Sequence, residues 1–231
     1  MRRIALFSDI HGNLEALNSI LKYLESNSYD EIICLGDVVG LGPSSHECLE
    51  LMKNSNIRYL LGNHERALID ENEMNALDDD RKLSELWVKD SLNTSDIQYL
   101  KSLDMSYELL EKGKLFLFSH FAMIDGKYLS LDSSLEELND IFLNISADYF
   151  FFGHEHNPFS MDVCSRHFES IGSSGCNDSK NTFLTEVTID DYVYVKKVIL
   201  DYDRKKFEKT LRSIDYPYKK DIANKFFGIL L

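Results

Sequence analysis

The sequence has 231 residues, of which 44% are hydrophobic and 28% charged, which is typical of a globular protein with one sizeable core. Its formal net charge of -14 disfavours binding to long nucleic acids, because an acidic surface repels polyanions. The apolar run at residues 4–7 is too short for a signal peptide or a membrane span, so we expect a soluble, cytoplasmic protein with no membrane partner. No linker or repeat interrupts the chain, which predicts a single domain over residues 1–231.

Strands and helices alternate in the first part of the chain. The apolar spacing predicts three buried strands and two helices, in the order 3–8 (strand), 13–26 (helix), 31–35 (strand), 45–54 (helix) and 57–61 (strand). Asn13 is a candidate N-cap of the first helix. This alternation predicts parallel strands joined by right-handed crossovers.

The pattern changes after the third strand. Residues 65–101 are acidic and helical in pattern, and we interpret them as a helical insertion over one side of the core. The elements predicted after it are hairpins at 106–111/114–119 and 181–189/192–200, a helix near 134–144, strands at 148–152, 159–164 and 167–171, and a helical tail at 203–231. Parallel strands followed by antiparallel ones predict an α/β fold of four layers (αββα), in which helices flank two mixed sheets.

Polar clusters follow five of the predicted strands. These clusters are Asp9-Ile10-His11-Gly12, Gly36-Asp37-Val38-Val39-Gly40, Gly62-Asn63-His64-Glu65, Ser119-His120 and Gly153-His154-Glu155-His156. Because ligands of parallel sheets bind beyond the carboxyl ends of the strands, we expect the five clusters to meet at one edge.

The residue types in these clusters suit divalent metal ions. Carboxylate, amide oxygen and imidazole groups bind manganese, iron, zinc, cobalt or nickel. Asp9 and His11 are two residues apart, as are His154 and His156, so each pair can face one side of an extended strand end. A shared carboxylate can hold two metals roughly 3.5–4 Å apart, as two-metal phosphoryl chemistry requires. Each cluster alone is compatible with an ordinary turn, and only their conjunction favours a metal site.

The ordered clusters resemble the calcineurin-like metallophosphoesterase superfamily, and they are most similar to its short bacterial and archaeal phosphodiesterases and phosphatases. The resemblance runs from Asp9 to His156 and implies two packed mixed sheets and two divalent transition metal ions, with manganese favoured. It also implies two ligand sets, one of Asp9, His11, Asp37 and His156 and one of Asp37, Asn63, His120 and His154, with Asp37 bridging both metals.

The resemblance further implies a dinuclear metal-dependent hydrolase, either a phosphodiesterase or a phosphatase. In that reading a metal-bridging hydroxide attacks phosphorus, and His64 is the general acid or a hydrogen-bond donor to the phosphate. The expected substrates are small phosphodiesters, nucleotides or dinucleoside polyphosphates. Three positions depart from the family pattern that this resemblance implies: Gly40 and Leu41 stand where several relatives carry a polar residue and a phosphate-gripping arginine, and Phe121 replaces a glycine.

Two alternatives to this enzyme remain open. One is a non-catalytic interaction scaffold with the same fold, and the other is a nuclease, which the acidic composition disfavours. Outside the clusters, we expect His46 to be a solvated residue at a helix start and His167 to be structural. Glu65 and Arg66 either support His64 or begin the insertion. We expect four reduced thiols without a catalytic role, at Cys34, Cys48, Cys164 and Cys176.

Overall fold

The computed structural model describes residues 1–121, 123–124, 127–128, 145–163 and 165–231. Its strands are β1 (Arg2–Phe7), β2 (Glu31–Cys34), β3 (Arg58–Tyr59), β4 (Ser106–Glu111), β5 (Lys114–Ser119), β6 (Met123–Ile124), β7 (Lys127–Tyr128), β8 (Tyr149–Phe152), β9 (Phe159–Val163), β10 (Arg166–Ser170), β11 (Asn181–Ile189) and β12 (Val193–Asp201). Its helices are α1 (Leu14–Glu25), α2 (Ser45–Lys53), α3 (Asn63–Ile69), α4 (Glu71–Ala76), α5 (Asp79–Ser91), α6 (Thr94–Leu100), α7 (Arg204–Ser213) and α8 (Lys219–Phe227). The helix predicted near 134–144 lies outside the described residues.

Two five-stranded mixed sheets form the centre of the fold. The first has the order β12-β11-β1-β2-β3, in which β1, β2 and β3 are parallel. The second has the order β4-β5-β8-β10-β9, in which β5, β8 and β10 are parallel. The predicted α/β fold with two mixed sheets is confirmed, and so is the parallel start of the chain.

One apolar core lies between the two sheets, and another lies between the first sheet and the helices α1 and α2. Alternate residues of β1 point to opposite faces, so Ile4 and Leu6 face the second sheet while Ala5 and Phe7 face α1 and α2. Phe118 and Phe151 stack across neighbouring strands of the second sheet with ring centroids 5.6 Å apart. Burial of each such side chain contributes about 1.5–3 kcal/mol, and this packing fixes the strand ends that carry the polar clusters.

The first helix starts at the predicted cap. The Asn13 side chain accepts a hydrogen bond of 3.1 Å from the Ala16 N–H and donates one of 2.8 Å to the Gly175 carbonyl. Asn13 therefore caps α1 and also ties it to the loop after β10.

Six of the described helices follow β3, four in residues 63–100 and two in residues 204–227. Trp87 of α5 packs on Tyr216, with ring centroids 4.6 Å apart, so the two groups of helices touch. None of the described helices is long and apolar enough to cross a membrane.

Candidate metal centre

The five polar clusters meet where the carboxyl ends of β1, β2, β3, β5 and β8 adjoin. Backbone hydrogen bonds hold the first two clusters together, since the Asp9 N–H donates to the Gly36 carbonyl at 3.0 Å and the His11 N–H donates to the Asp37 carbonyl at 2.9 Å. The loop after β10, which the sequence analysis did not identify, also supports these clusters. Its Ser173 hydroxyl donates a hydrogen bond to the Asp9 carbonyl at 2.7 Å.

Four of the candidate ligands have left-handed backbone conformations. The φ angles of Asp9, His11, Asp37 and His154 lie between +47° and +65°. Such conformations cost of order 1–3 kcal/mol per residue and persist where the surrounding structure enforces them, often at functional sites. Here they turn the chain sharply after each strand, which points these side chains into a common space.

Asp9, His11 and His156 form the first group of candidate ligands. His11 Nε2 lies 3.2 Å from His156 Nε2, and Asp9 Oδ1 lies 3.6 and 3.5 Å from these two nitrogens. Asp9 Oδ1 is fully buried and has no hydrogen-bond partner among the described residues. A buried, unpaired carboxylate oxygen is costly, and a cation held between it and the two imidazoles would satisfy it. This group therefore fits a metal ion.

Asn63, His120 and His154 form the second group. Asn63 Oδ1 lies 3.0 Å from His120 Nε2 and 2.8 Å from His154 Nδ1. Asp37 Oδ2 lies 3.2 Å from His120 Nε2 and 3.8 Å from His11 Nε2, so it faces both groups. Together the two groups offer oxygen and imidazole nitrogen ligands, and the Asp37 carboxylate lies between them. This arrangement fits a pair of divalent metals.

Backbone carbonyls orient two of the histidines. His120 Nδ1 lies 2.9 Å from the Leu35 carbonyl oxygen, and His11 Nδ1 lies 3.3 Å from that of Val39. A hydrogen bond from Nδ1–H to a carbonyl leaves Nε2 unprotonated and available to a metal. Gly36, with a φ of +112°, makes room for His120, because a Cβ there would lie 2.7 Å from His120 Nδ1.

The charged groups of the candidate centre shift one another's pKa values. Burial alone would raise the pKa of Asp9, but its contacts with His11 and His156 hold that pKa well below the usual range. Burial alone would lower the pKa of His120, yet Asp37 raises it to about 9. The pKa of His154 falls to about 4 because the ring is buried beside His120. The cluster thus favours ionised carboxylates in its centre.

Glu65 holds the backbone around the candidate ligands in place. Its buried carboxylate accepts five hydrogen bonds of 2.6–3.1 Å, from the N–H groups of Asp37, Val38, Val39 and Gly62 and from the Tyr59 hydroxyl. Glu65 lies in the first turn of α3 and holds the loop that carries Asp37, and its charge also raises the pKa of His64. Arg66 belongs to the helical segment, where it pairs with Glu73.

His64 lies beside the two groups, and one of its ring nitrogens lies within 4.8 Å of ligand atoms of His11 and Asp37. Its Nε2 is 3.9 Å from Asp37 Oδ2, and its Nδ1 is 2.5 Å from Glu85 Oε1 of α5. Burial alone would lower the pKa of His64, but the charges of Glu85 and Asp37 raise it to about 10. A side chain at Gly40 would collide with the His64 ring, so the glycine permits this placement. The sequence analysis did not identify Glu85. Its one signal in the sequence is that this acidic residue lies on the same helix face as the apolar Val88.

Histidines outside the clusters have structural partners. His167 lies between Asp162 and Glu169, at 2.9 and 3.1 Å, in agreement with its expected structural role. His46 differs from the expected solvated residue, because its Nδ1 lies 3.1 Å from Oδ2 of the buried Asp96. Lys53 neutralises the same carboxylate from 2.8 Å, which makes this cluster a link between α2 and α6.

The described cysteines are free and buried, namely Cys34, Cys48 and Cys176, whereas Cys164 lies outside the described residues. Burial raises the pKa of all three thiols well above the usual value. Cys176 Sγ lies within 4.8 Å of ligand nitrogens of His11 and His156, although the sequence indicated no thiol near the site. Its thiol donates to the Phe226 carbonyl at 3.4 Å, which ties α8 to the candidate centre.

A cavity of about 540 Å³ opens over the candidate ligands. Its floor includes Asp37, Asn63, His64, His154 and His156, and its walls come from α3, α5 and α8. Phe121 packs against the centre from the second sheet, with its ring edge-on to His120 at 5.5 Å and to His154 at 5.9 Å.

Comparison with known proteins identifies relatives of this chain. A sequence profile of the calcineurin-like phosphoesterase family matches residues 2–158. An uncharacterised protein of Methanocaldococcus jannaschii is 34% identical over 158 residues, which are 68% of this chain and 63% of that protein. A symmetrical bis(5'-nucleosyl)-tetraphosphatase of Actinobacillus pleuropneumoniae is 36% identical over 67 residues, 28% of this chain and 25% of that enzyme. The chain thus matches less than two thirds of the length of either relative.

Solved structures with the same fold extend the comparison. A hypothetical protein of Pyrococcus horikoshii OT3 aligns over 100% of both chains with a TM-score of 0.80 and 19% identity. A metallophosphoesterase of Sphaerobacter thermophilus aligns over 97% of both chains with a TM-score of 0.71 and 22% identity. Together with the family profile, which covers most of the chain, these likenesses confirm the predicted kinship: the chain belongs to the calcineurin-like phosphoesterase family.

Proposed function

We propose that the protein is a dinuclear metal-dependent hydrolase of phosphate esters that acts on small or nucleotide substrates as a phosphodiesterase or phosphatase. The observation that carries the proposal is the position of Asp37 between two groups of candidate ligands at the floor of one cavity. The sequence similarity to a tetraphosphatase, short as it is, also supports a phosphate ester as substrate.

The seven candidate ligands divide into two sets that share one carboxylate. Asp9, His11, Asp37 and His156 would hold one metal, and Asp37, Asn63, His120 and His154 the other. When bound, two divalent ions of the manganese, iron, zinc, cobalt or nickel type would stabilise charge on the phosphoryl oxygens and activate a water molecule. The chain contributes the fixed orientation of these groups, since carbonyls hold His11 and His120 by Nδ1.

His64 is the proposed general acid of the reaction. Its Nε2 faces Asp37 and the cavity, and its Nδ1 is bound to Glu85. The carboxylate of Glu85 stabilises the imidazolium form, so a proton is available at Nε2 for the oxygen of the departing group. General acid catalysis of this kind contributes typically 10²–10⁴-fold to a rate.

The proposal is tested with the purified protein and added Mn²⁺. We expect hydrolysis of bis-p-nitrophenyl phosphate or p-nitrophenyl phosphate, measured by release of p-nitrophenolate, and we expect EDTA to abolish it. The ratio of the two rates assigns the protein as a diesterase or a monoesterase. If neither ester is hydrolysed with manganese, iron, zinc, cobalt or nickel, the result would support the interaction scaffold. Cleavage of DNA or RNA in preference to the small esters would support the nuclease.

A further inference from the structure

Two walls of the cavity lie outside the polar clusters. One wall is the start of α5, with Asp78, Asp80 and Arg81, and the other is α8. The two walls lie near each other, since the Asp80 carboxylate raises the pKa of the Tyr218 phenol. The residues of the second wall that line the cavity are Tyr218, Asp221, Ile222, Lys225 and Phe226.

Leu41 explains why α8 can form a wall. Its side chain is 8% exposed and belongs to the same apolar cluster as Ile222 and Phe227 of α8. A buried charge at this position would disrupt that contact, because an unpaired charge in an apolar environment is costly. Leu41 therefore helps to dock α8 beside the cavity.

The docked helix brings its own cation to the cavity. Lys225 Nζ lies 5.2 Å from the centre of the Phe226 ring, and that ring lies 5.9 Å from the His156 ring. Within the described part of the chain, no carboxylate oxygen lies within 4.0 Å of Lys225 Nζ. Arg81, the other basic residue of the lining, is already 3.5 Å from Asp78. Lys225 is thus a basic group of the described lining that has no carboxylate partner and can bind an anionic ligand.

The two walls also carry acidic and apolar residues. On the two walls Asp78, Asp80 and Asp221 outnumber Arg81 and Lys225, and Arg81 already pairs with Asp78. The aspartate charges repel a chain of several phosphates. Tyr218 and Phe226 offer aromatic faces, on which a base or another flat organic group can pack.

We infer that the cavity takes compact esters with a single phosphoryl group, whose charge Lys225 binds and whose organic group packs on Phe226 and Tyr218. Dinucleoside polyphosphates are disfavoured. This inference rests on the proposed function, because the phosphoryl group must sit over the candidate metal centre.

The substrate test compares the p-nitrophenyl ester of thymidine 5'-monophosphate with diadenosine tetraphosphate on the Mn²⁺-loaded protein. We expect kcat/KM to be at least tenfold higher for the single-phosphoryl ester. Hydrolysis of the tetraphosphate at an equal or higher kcat/KM overturns the inference and leaves the proposed function intact. A protein that cleaves no ester overturns the proposed function, and calorimetric binding of thymidine 5'-monophosphate then still tests the cavity.

The role of Lys225 is tested with Lys225→Met, and Lys220→Met on the same helix is the control. We expect Lys225→Met to raise KM about fivefold and to weaken binding of thymidine 5'-monophosphate about equally, with a much smaller change in kcat, since the lysine acts in ground-state binding. Lys220 does not line the cavity, so its variant should match the unmodified protein. Unchanged KM and affinity in Lys225→Met overturn the assignment.

A separate experiment tests the effect of the acidic residues in the cavity walls. Asp221→Asn removes one negative charge from the cavity, and Asp191→Asn removes one from the distant β11–β12 hairpin. We expect only Asp221→Asn to raise kcat/KM for the tetraphosphate relative to the single-phosphoryl ester. An equal ratio in both variants overturns the repulsion argument.

Discussion

His64 faces the candidate metal centre through one ring nitrogen and Glu85 through the other. The two residues come from different helices, α3 and α5, and Glu85 is nearly fully buried. Because the contact of 2.5 Å leaves the ring little freedom to rotate, Glu85 fixes the orientation of His64, and together with Asp37 it raises the pKa of the ring. In the proposed mechanism it is a positioning residue.

Replacement of Glu85 should therefore slow the reaction without removing metal. We expect Glu85→Ala to lower kcat about tenfold or more and Glu85→Gln, which keeps a hydrogen bond, to lower it less. The measurements are kcat on an alkyl phosphodiester and metal content by atomic absorption. Asp90→Asn, an exposed acid of the same helix, is the control. Unchanged kcat in Glu85→Ala would remove Glu85 from the mechanism.

We expect Asp37 to contribute to the binding of both metals. We expect the purified protein to bind close to two transition metals per chain and Asp37→Asn to lose part of both, because its carboxylate faces both groups of ligands. Activity should fall at least 10²-fold, as bridging groups are central to two-metal chemistry. Elemental analysis and ester hydrolysis check this, and an Asp37→Asn protein with two metals and full activity would contradict it.

A proton donor and a metal ligand should respond differently to the leaving group. His64→Ala should keep its metals and lose rate most on alkyl esters, whose departing oxygen needs a proton, and least on activated aryl esters. His120→Ala should lose metal and slow all esters together, with partial rescue by excess Mn²⁺. A leaving-group series with metal content measures both. Loss of metal in His64→Ala would mean that the ligand assignment is wrong.

Glu65 should be critical for stability. Glu65→Ala leaves five buried donors without their acceptor. Removal of one partner from such a buried charged network costs about 3–5 kcal/mol, so we expect the free energy of unfolding in urea to fall by about that amount. The exposed Asp191→Asn serves as the reference. A loss of less than about 1 kcal/mol would show that water replaces the carboxylate.

The thiols should be dispensable for turnover. Burial raises the pKa of Cys34, Cys48 and Cys176, so their thiolate fraction in the folded protein stays small until the pH rises well above the usual thiol range. We expect iodoacetamide at pH 8 to modify these three only after denaturation, as read by mass spectrometry, and to leave ester hydrolysis intact. Inactivation with the fold retained would indicate a cysteine with a catalytic role.

Local pattern was sufficient to predict much of the molecule. The apolar runs and the polar residues that follow them lie within a few positions of each other, so strand ends and candidate ligands such as Asp9 and His154 were visible in the sequence. Glu85 was not, because it reaches His64 from 21 residues away on a helix whose rotation depends on packing against other elements. The support of Asp9 by Ser173 spans 164 residues and has no local signature.

The position of β1 has a consequence for how the protein is made. One edge of β1 pairs with β2 within the first 34 residues, but the other pairs with β11, where Arg2 lies opposite Ile189. The second pairing cannot form on the ribosome until residues 181–189 have emerged, and long-range pairings of this kind form slowly. A nascent or prematurely terminated chain therefore exposes an open strand edge and holds an incomplete set of supports around Asp9. Incomplete chains should be inactive and prone to aggregation.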